Sequence, residues 1–392
     1  MARIYLDHHA TTPVDPAVLE AMLPYFSEKF GNPASRTHSF GKEASLACEQ
    51  AREEVAGLIG ADPSEIVFTS GATESNNLAI KGAVGKDRHI VTVATEHPAV
   101  LDPCRALERD GRATVTFLPV ERDGRINLEA LRGAIMDQTA LVSVMFANNE
   151  IGVLQPIAEI GRLCHERGVL FHPDAAQACG KVPVDVGAMD IDLLSLSAHK
   201  MYGPKGVGAL YVRKRGPRVK LAAQMDGGGH ENGLRSGTLP TPLVVGFGRA
   251  CAISARTMPE ESARLLELRE RLRRRIFGAL DYVHLNGSLD HRLPGNLHVS
   301  IEFVEGESMI LGMAEVAVSS GSACTSAKME PSHVLHALGV NEAVARSSIR
   351  FGIGRFNTPE EIDRAAALLE REVRRLRAIS PLYPGARTGE KR

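Results

Sequence analysis

The sequence predicts an α/β fold: a large domain with a mostly parallel, seven-stranded sheet, followed by a smaller α+β domain. Three observations predict it. From about residue 65 to 214, short apolar runs alternate with segments of helical period that stop at glycine. Beyond MDGGGHENGLRSGTLP (225–240) that alternation gives way to long charged amphipathic stretches around two apolar runs. Unusual polar residues recur where the first set of runs ends, the edge at which open α/β sheets bind ligands.

The strand candidates, in order, are EIVFTS, HIVTVAT, TVTFLPV, ALVSVMF, VLFHP, DLLSLS and VGALYV. Between them lie stretches such as PAVLDPCRALERDG and PIAEIGRLCHERG, with apolar residues at helical spacing. Strands that alternate with helices imply parallel pairing with both faces covered. GVGALYV follows YGPKG too closely for a helical crossover, so this last strand is expected to run antiparallel. The second domain reads as a helix over ESARLLELRERLRRRIFGAL, strands NLHVSIEF and SIRFGIGRF, and a final helix TPEEIDRAAALLEREVRRLRAI. Thr358 and Glu361 form a capping box there, with Pro359 at the first helical position. The expected division is 15–260 for the large domain, with 1–14 and 261–392 forming the small one. The closing YPGARTGEKR reads as a frayed, basic tail.

The 392 residues are 44% hydrophobic and 24% charged, which suits a soluble globular chain. A net charge of −1 gives no broad attraction to nucleic acid or an anionic membrane. The basic runs RKRGPRVK and RERLRRRIF read as a solvated turn and a helix face. Six cysteines without CxxC pairs suit neither a disulfide framework nor a zinc site, and fit a reducing compartment. MARIYLDHHATTPVD lacks the apolar core of a secretory signal, and no run approaches a membrane span. A cytoplasmic protein is expected.

The polar residues at the strand ends suggest the chemistry. Ser70-Gly71-Ala72-Thr73 follows the first strand, Glu96-His97 the second and Asn148-Asn149-Glu150 the fourth. Asp174 and Gln177 follow the fifth, and Ser197, His199 and Lys200 the sixth. TSGATESNN sets a small glycine turn before a helix, where free N–H groups meet an anion such as phosphate. The dinucleotide and P-loop glycine signatures are missing, so a nucleotide fold is not indicated. Desolvation and positive neighbours make a lysine such as Lys200 a neutral amine able to form a Schiff base. Asp174 suits a pyridinium partner, and His97 suits ring stacking or proton transfer. Together these residues describe a pyridoxal phosphate site. HExxH is absent, and adjacent His8-His9 are poorly arranged for chelation, so no resident metal is expected. VSSGSACTSAKMEPSH sets Cys324 among small, flexible residues that offer a thiol no packing site.

With these residues in view, the chain resembles the cysteine desulfurases of the long-loop NifS/IscS group. They are fold-type I, class-V aminotransferase-like pyridoxal phosphate enzymes. The likeness runs from YLDHHATTPVD to LRAISPLY through an ordered series of specific motifs. They include FGNPASRTHSFG, FTSGATESNNLAIKG, ANNEIG, DAAQACGKVPVD, SAHKMYGPKGVGALYVR, GGGHENGLRSGT and SSGSACTSAKMEPSHVLHALG. The resemblance implies that Lys200 holds the cofactor, Asp174 pairs with its ring nitrogen, and Asn149 and Gln177 contact its phenolic oxygen. It makes His97 a stacking and proton-transfer group. Phosphate falls to Ala72, Thr73, Ser197 and His199, with Thr238 from a partner subunit in a homodimer. Arg350, with Asn149, is implied to bind the substrate carboxylate through a bidentate contact.

Cys324 is the implied nucleophile, taking sulfur from L-cysteine as a persulfide while alanine leaves. A Ser/Gly-rich loop suits a thiol that must reach the substrate and then deliver sulfur to an acceptor such as an iron–sulfur scaffold. Cys324 is at most a transient iron–sulfur ligand on this reading. His8 and His9 occupy a stretch that varies in the family and receive no catalytic role. Ala198, where glycine is common, is expected to leave the phosphate contacts intact. The alternatives are a selenocysteine lyase or an aminotransferase on the same fold, since fold alone does not fix reaction. A catalytically silent scaffold subunit is disfavoured by the complete set of Lys200, Asp174, His97, Arg350 and Cys324.

Overall fold

The computed structural model describes residues 3–85, 88–216, 218–320 and 332–384. Its first strands are β1 (Ile4–Tyr5), β2 (Ile66–Thr69), β3 (Arg88–Val93), β4 (Ala113–Leu118), β5 (Thr139–Ser143) and β6 (Leu170–His172). Then come β7 (Leu193–Ser197), β8 (Gly208–Val212), β9 (Val283–Leu285), β10 (Asn296–Ile301), β11 (Val316–Ala317) and β12 (Ser348–Gly352).

β4, β3, β5 and β6 lie side by side in that order, all parallel. β8 sits between β2 and β7 and runs antiparallel to both, the reversal its short connection implied. The two sheets meet at β6 and β7, where the Ser195 N–H donates to the Pro173 carbonyl at 3.1 Å. The Asp192 N–H donates to the Phe171 carbonyl, also at 3.1 Å. A four-stranded and a three-stranded sheet therefore stand where one seven-stranded ladder was expected. The pairing thins where β6 ends after three residues at Pro173, which has no N–H to give.

Alternate strand residues feed opposite cores, as the two-residue period requires. Phe68, Val91, Val142 and Leu194 join one core, while Val67, Ile90, Leu141 and Leu193 join the other. A sheet buried on both faces needs continuous apolar runs, which is why these strands stood out in the sequence. A third core gathers Ile4, Leu6, Leu268, Leu272, Val299, Phe351 and Leu369 around the antiparallel β12–β10–β9 sheet and the parallel β1–β11 pair.

One 39-residue helix, Thr241–Ala279, serves two of these cores. Val244, Phe247 and Cys251 enter the first, and Leu265, Leu268 and Leu272 the third. Only its second half carries the charged amphipathic pattern read from the sequence. The first half packs against the helix Ser39–Ile59 so closely that a Cβ on Gly248 would lie 2.5 Å from the Ala51 Cα. Burial of that half suppresses the polar stripe that marks a helix in sequence. The last helix, Pro359–Ile379, has the expected capping box of Thr358 and Glu361. No helix among the described residues is long and apolar enough to cross a membrane.

Candidate active site

The segments leaving β2, β3, β5, β6 and β7 all reach one cavity of about 530 Å³. Its lining includes Ala72, Thr73, His97, Asn149, Asp174, Gln177, Ser197, His199, Lys200 and Arg350. Arg350 comes from β12, so the β12–β10–β9 sheet also contributes to the cavity wall. Asp7 bridges to Gly352 at the end of β12, which brings His9 and Ala10 into the same wall.

Gly71 has φ 147°, a conformation open to glycine, and turns the chain from β2 into the helix Ala72–Ala83. The first N–H groups of that helix have no partner within it, so Ala72 and Thr73 present donors for an anion. Glu74 is held off the turn: its carboxylate pairs with Arg235 at 2.8 Å and accepts the Ser70 N–H at 2.8 Å. Beside this turn, the His199 ring contacts the Thr11 hydroxyl at 3.0 Å. Burial, then the charges of Lys200, Lys205 and Lys181, lower its pKa to about 4, leaving a neutral imidazole.

Asp174 is 7% exposed, with one oxygen accepting from the Asn76 amide at 2.7 Å and the other from the Ala176 N–H at 2.9 Å. Each carboxylate oxygen keeps accepting capacity beyond one bond. Neighbouring Glu96 is fully buried, and burial followed by the Asp174 charge pushes its carboxyl well above the usual range. His97 caps the helix Pro98–Arg109, its Nδ1 accepting the Ala99 N–H at 3.1 Å. A neutral ring with Nδ1 accepting carries its proton on Nε2. Burial lowers the His97 pKa, partly opposed by Asp174.

The Lys200 amine donates to the carbonyls of His9 and Ala10, both at 2.7 Å. Arg350 is 2% exposed; its Nη1 donates to the Asn149 carbonyl and its Nη2 to Asp7, each at 2.8 Å. The Gln177 amide group donates to the His9 carbonyl at 2.8 Å, while its oxygen accepts from Lys181 at 2.9 Å. That oxygen also contacts His9 Nδ1 at 3.1 Å. Gln177 therefore reaches the cavity wall with its amide engaged by protein partners. Thr238 is exposed and stands apart from the lining.

Cys324 lies outside the described residues, but its described flanks touch the cavity. Ser319 bridges to Arg350, and His333 lines the wall with Nε2 2.9 Å from the Glu96 carbonyl. The other five cysteines, Cys48, Cys104, Cys164, Cys179 and Cys251, are buried. Burial raises every one of these thiols, Cys48 to about 11 and both Cys104 and Cys179 to about 12. Such thiols are poor nucleophiles near neutrality. Sequence reasoning passed over His9 and His333 as cavity residues, because neither follows one of the strands β2 to β8.

These residues suit pyridoxal phosphate: helix N–H groups for the phosphate, a buried carboxylate, a neutral imidazole and a lysine share one cavity of cofactor size. The class-V aminotransferase family description matches residues 4–365, and the chain belongs to that family, whose members use this cofactor. It is 59% identical over 390 residues to cysteine desulfurase IscS of Anaeromyxobacter dehalogenans (strain 2CP-C), covering 98% of this chain and 96% of that one. A solved NifS-like protein superposes with a TM-score of 0.87 at 38% identity, covering 94% of this chain and 98% of the other. SspA in complex with cysteine superposes with a TM-score of 0.80 at 41% identity, covering 91% and 100%. Within the family, the chain belongs with the cysteine desulfurases of the IscS kind.

Proposed function

We propose that this cavity removes sulfur from L-cysteine, giving L-alanine and a persulfide on Cys324 that passes to an acceptor such as an iron–sulfur scaffold protein. The observation that carries the reading is the meeting of Lys200 with Asp174, His97 and Arg350 in one cavity. Ala72, Thr73, Ser197 and His199 would hold the cofactor phosphate, Asp174 its ring nitrogen and Lys200 its carbonyl carbon. Bound there, pyridoxal phosphate supplies an electron sink for the substrate α-carbon.

Arg350 binds the substrate carboxylate, since its remaining N–H groups form a fork suited to one. Lys200 takes the α-proton, and His97, whose Nε2 carries a hydrogen, is placed for later proton transfer. The Cys324 thiolate attacks the substrate sulfur. An S–S bond forms as the C–S bond breaks, its electron pair leaves with carbon, and that carbon collects protons to become alanine. Support for Cys324 comes from the two flanks at the cavity and from the other five thiols, all buried. We read residues 15–260 as the cofactor domain, built on seven strands acting as one sheet. Residues 1–14 and 261–392 form the domain that brings Arg350 and Cys324. Thr238 would serve the phosphate of a second subunit in a homodimer, and free cysteines suit a reducing, cytoplasmic setting.

The test is chemical. Borohydride treatment of the yellow holoenzyme should fix a reduced pyridoxyl group on the peptide containing Lys200. A label on Lys181 or Lys205, the other lysines near the cavity, would contradict the site.

A further inference from the structure

Lys181 and His9 take no part in the reaction as described, yet through Gln177 they form a chain whose geometry fixes an unexpected state at its end. In its ammonium form Lys181 donates only, so the Gln177 atom facing it at 2.9 Å is the amide oxygen. A carbonyl accepts only, so the Gln177 atom facing the His9 carbonyl at 2.8 Å is the amide nitrogen. Both ends thus set the same orientation, and the oxygen is also the atom 3.1 Å from His9 Nδ1. His9 Nδ1 must therefore carry the hydrogen. In a neutral ring that leaves Nε2 as a bare lone pair. His9 is 3% exposed, lines the cavity, and has no hydrogen-bond partner for Nε2 among the described residues. A buried polar atom without a partner is unfavourable unless a ligand supplies one.

The place of His9 says which group that is. Its backbone carbonyl and that of Ala10 hold the Lys200 amine at 2.7 Å. An incoming amino acid must bring its own nitrogen to the neighbourhood of that amine. We propose that His9 is a further substrate-binding residue, whose bare Nε2 accepts a hydrogen bond from the α-ammonium group of the amino-acid substrate. Lys181 and Gln177 are positioning residues that hold the tautomer. Burial and the positive charges of Lys181, Arg350 and Lys200 all oppose an imidazolium, so His9 acts as an acceptor and not as a base.

The inference rests on reading the cavity as the amino-acid site, and L-alanine, which shares the ammonium but has no thiol, is the probe. In ¹⁵N-histidine-labelled holoenzyme, His9 should show a protonated Nδ1 and an unprotonated Nε2 whose resonance moves on adding L-alanine. By calorimetry, His9→Phe should bind L-alanine about tenfold more weakly, the loss expected for one hydrogen bond to a charged group. His9→Gln, whose amide oxygen can accept, should recover part of it. In turnover the His9→Phe defect should fall on KM for L-cysteine more than on kcat. A protonated Nε2 in the wild type, or a His9→Phe variant that binds L-alanine normally, would overturn the proposal. Failure of wild-type holoenzyme to bind L-alanine would instead overturn the reading of the cavity.

Discussion

Arg350 is 2% exposed and charged, and Asp7, 2.8 Å from its Nη2, is the carboxylate that answers it. Removing one partner of a buried pair strands the other, which costs several kcal/mol more than losing an exposed contact. Asp7→Ala should therefore destabilise the protein by about 3 kcal/mol in denaturant titration and raise KM for L-cysteine, because Arg350 loses the anchor that aims it. Unchanged stability together with unchanged KM would show that Asp7 does not position Arg350. Lys200, Asp174 and His97 were legible in the sequence because each stands just past an apolar strand run. Asp7, which anchors Arg350, and His9, which lines the cavity, were not, since they come from a segment more than 160 residues from Gln177 in the chain, with no periodic pattern around them. Gln177 was found as a cavity residue but not as the fixed amide it is. That state depends on Lys181 four residues on and on His9, and only the fold brings the three together.

β8 approaches the phosphate turn more closely than any side chain would allow. A Cβ on Gly208 would lie 2.4 Å from the Leu196 carbonyl oxygen and 2.7 Å from the Gly71 Cα. Backbone cannot yield as a flexible side chain does, so Gly208→Ala must push β8 away from β7 or displace the turn. The expected result is a loss of about 1–3 kcal/mol in stability and weaker retention of pyridoxal phosphate in equilibrium dialysis. Wild-type cofactor retention in Gly208→Ala would mean that this approach does not set the turn. The strands β2 to β8 were readable because burial on both faces leaves unbroken apolar runs. β1, β9 and β11, with two or three residues each, are too short to carry any period. The first half of Thr241–Ala279 was hidden for the opposite reason, since it is buried on too many sides to keep a polar stripe.

Across the whole molecule, buried imidazoles set the acid limit. Burial lowers His8 to about 4 and both His172 and His298 to about 3. Once unfolded, each titrates near an ordinary value of about 6.5. Below that value the unfolded chain takes up protons that the folded chain refuses, so stability present above pH 6.5 is lost as pH falls. At pH 5 the loss is roughly 2 kcal/mol per imidazole. Glu96, Glu150, Asp192 and Glu54 have the opposite sign, because burial raises their carboxyls and makes folding less favourable as pH rises above the carboxyl range. His9, His89, His97 and His199 are lowered as well, so seven imidazoles outweigh the four raised carboxyls on the acid side. Tm should therefore fall steadily from pH 6.5 to pH 5; a flat profile would contradict the neutral buried rings. The central claim joins cofactor chemistry at Lys200 to the thiol of Cys324, and Cys324→Ser separates them most directly. That substitution keeps the volume but replaces a sulfur nucleophile with a hydroxyl ionised far less at neutral pH. The variant should stay yellow and change its spectrum on adding L-cysteine, while alanine released over many turnovers falls nearly to zero. Alanine production near the wild-type rate would contradict the account and point to a lyase that frees sulfide without a protein persulfide.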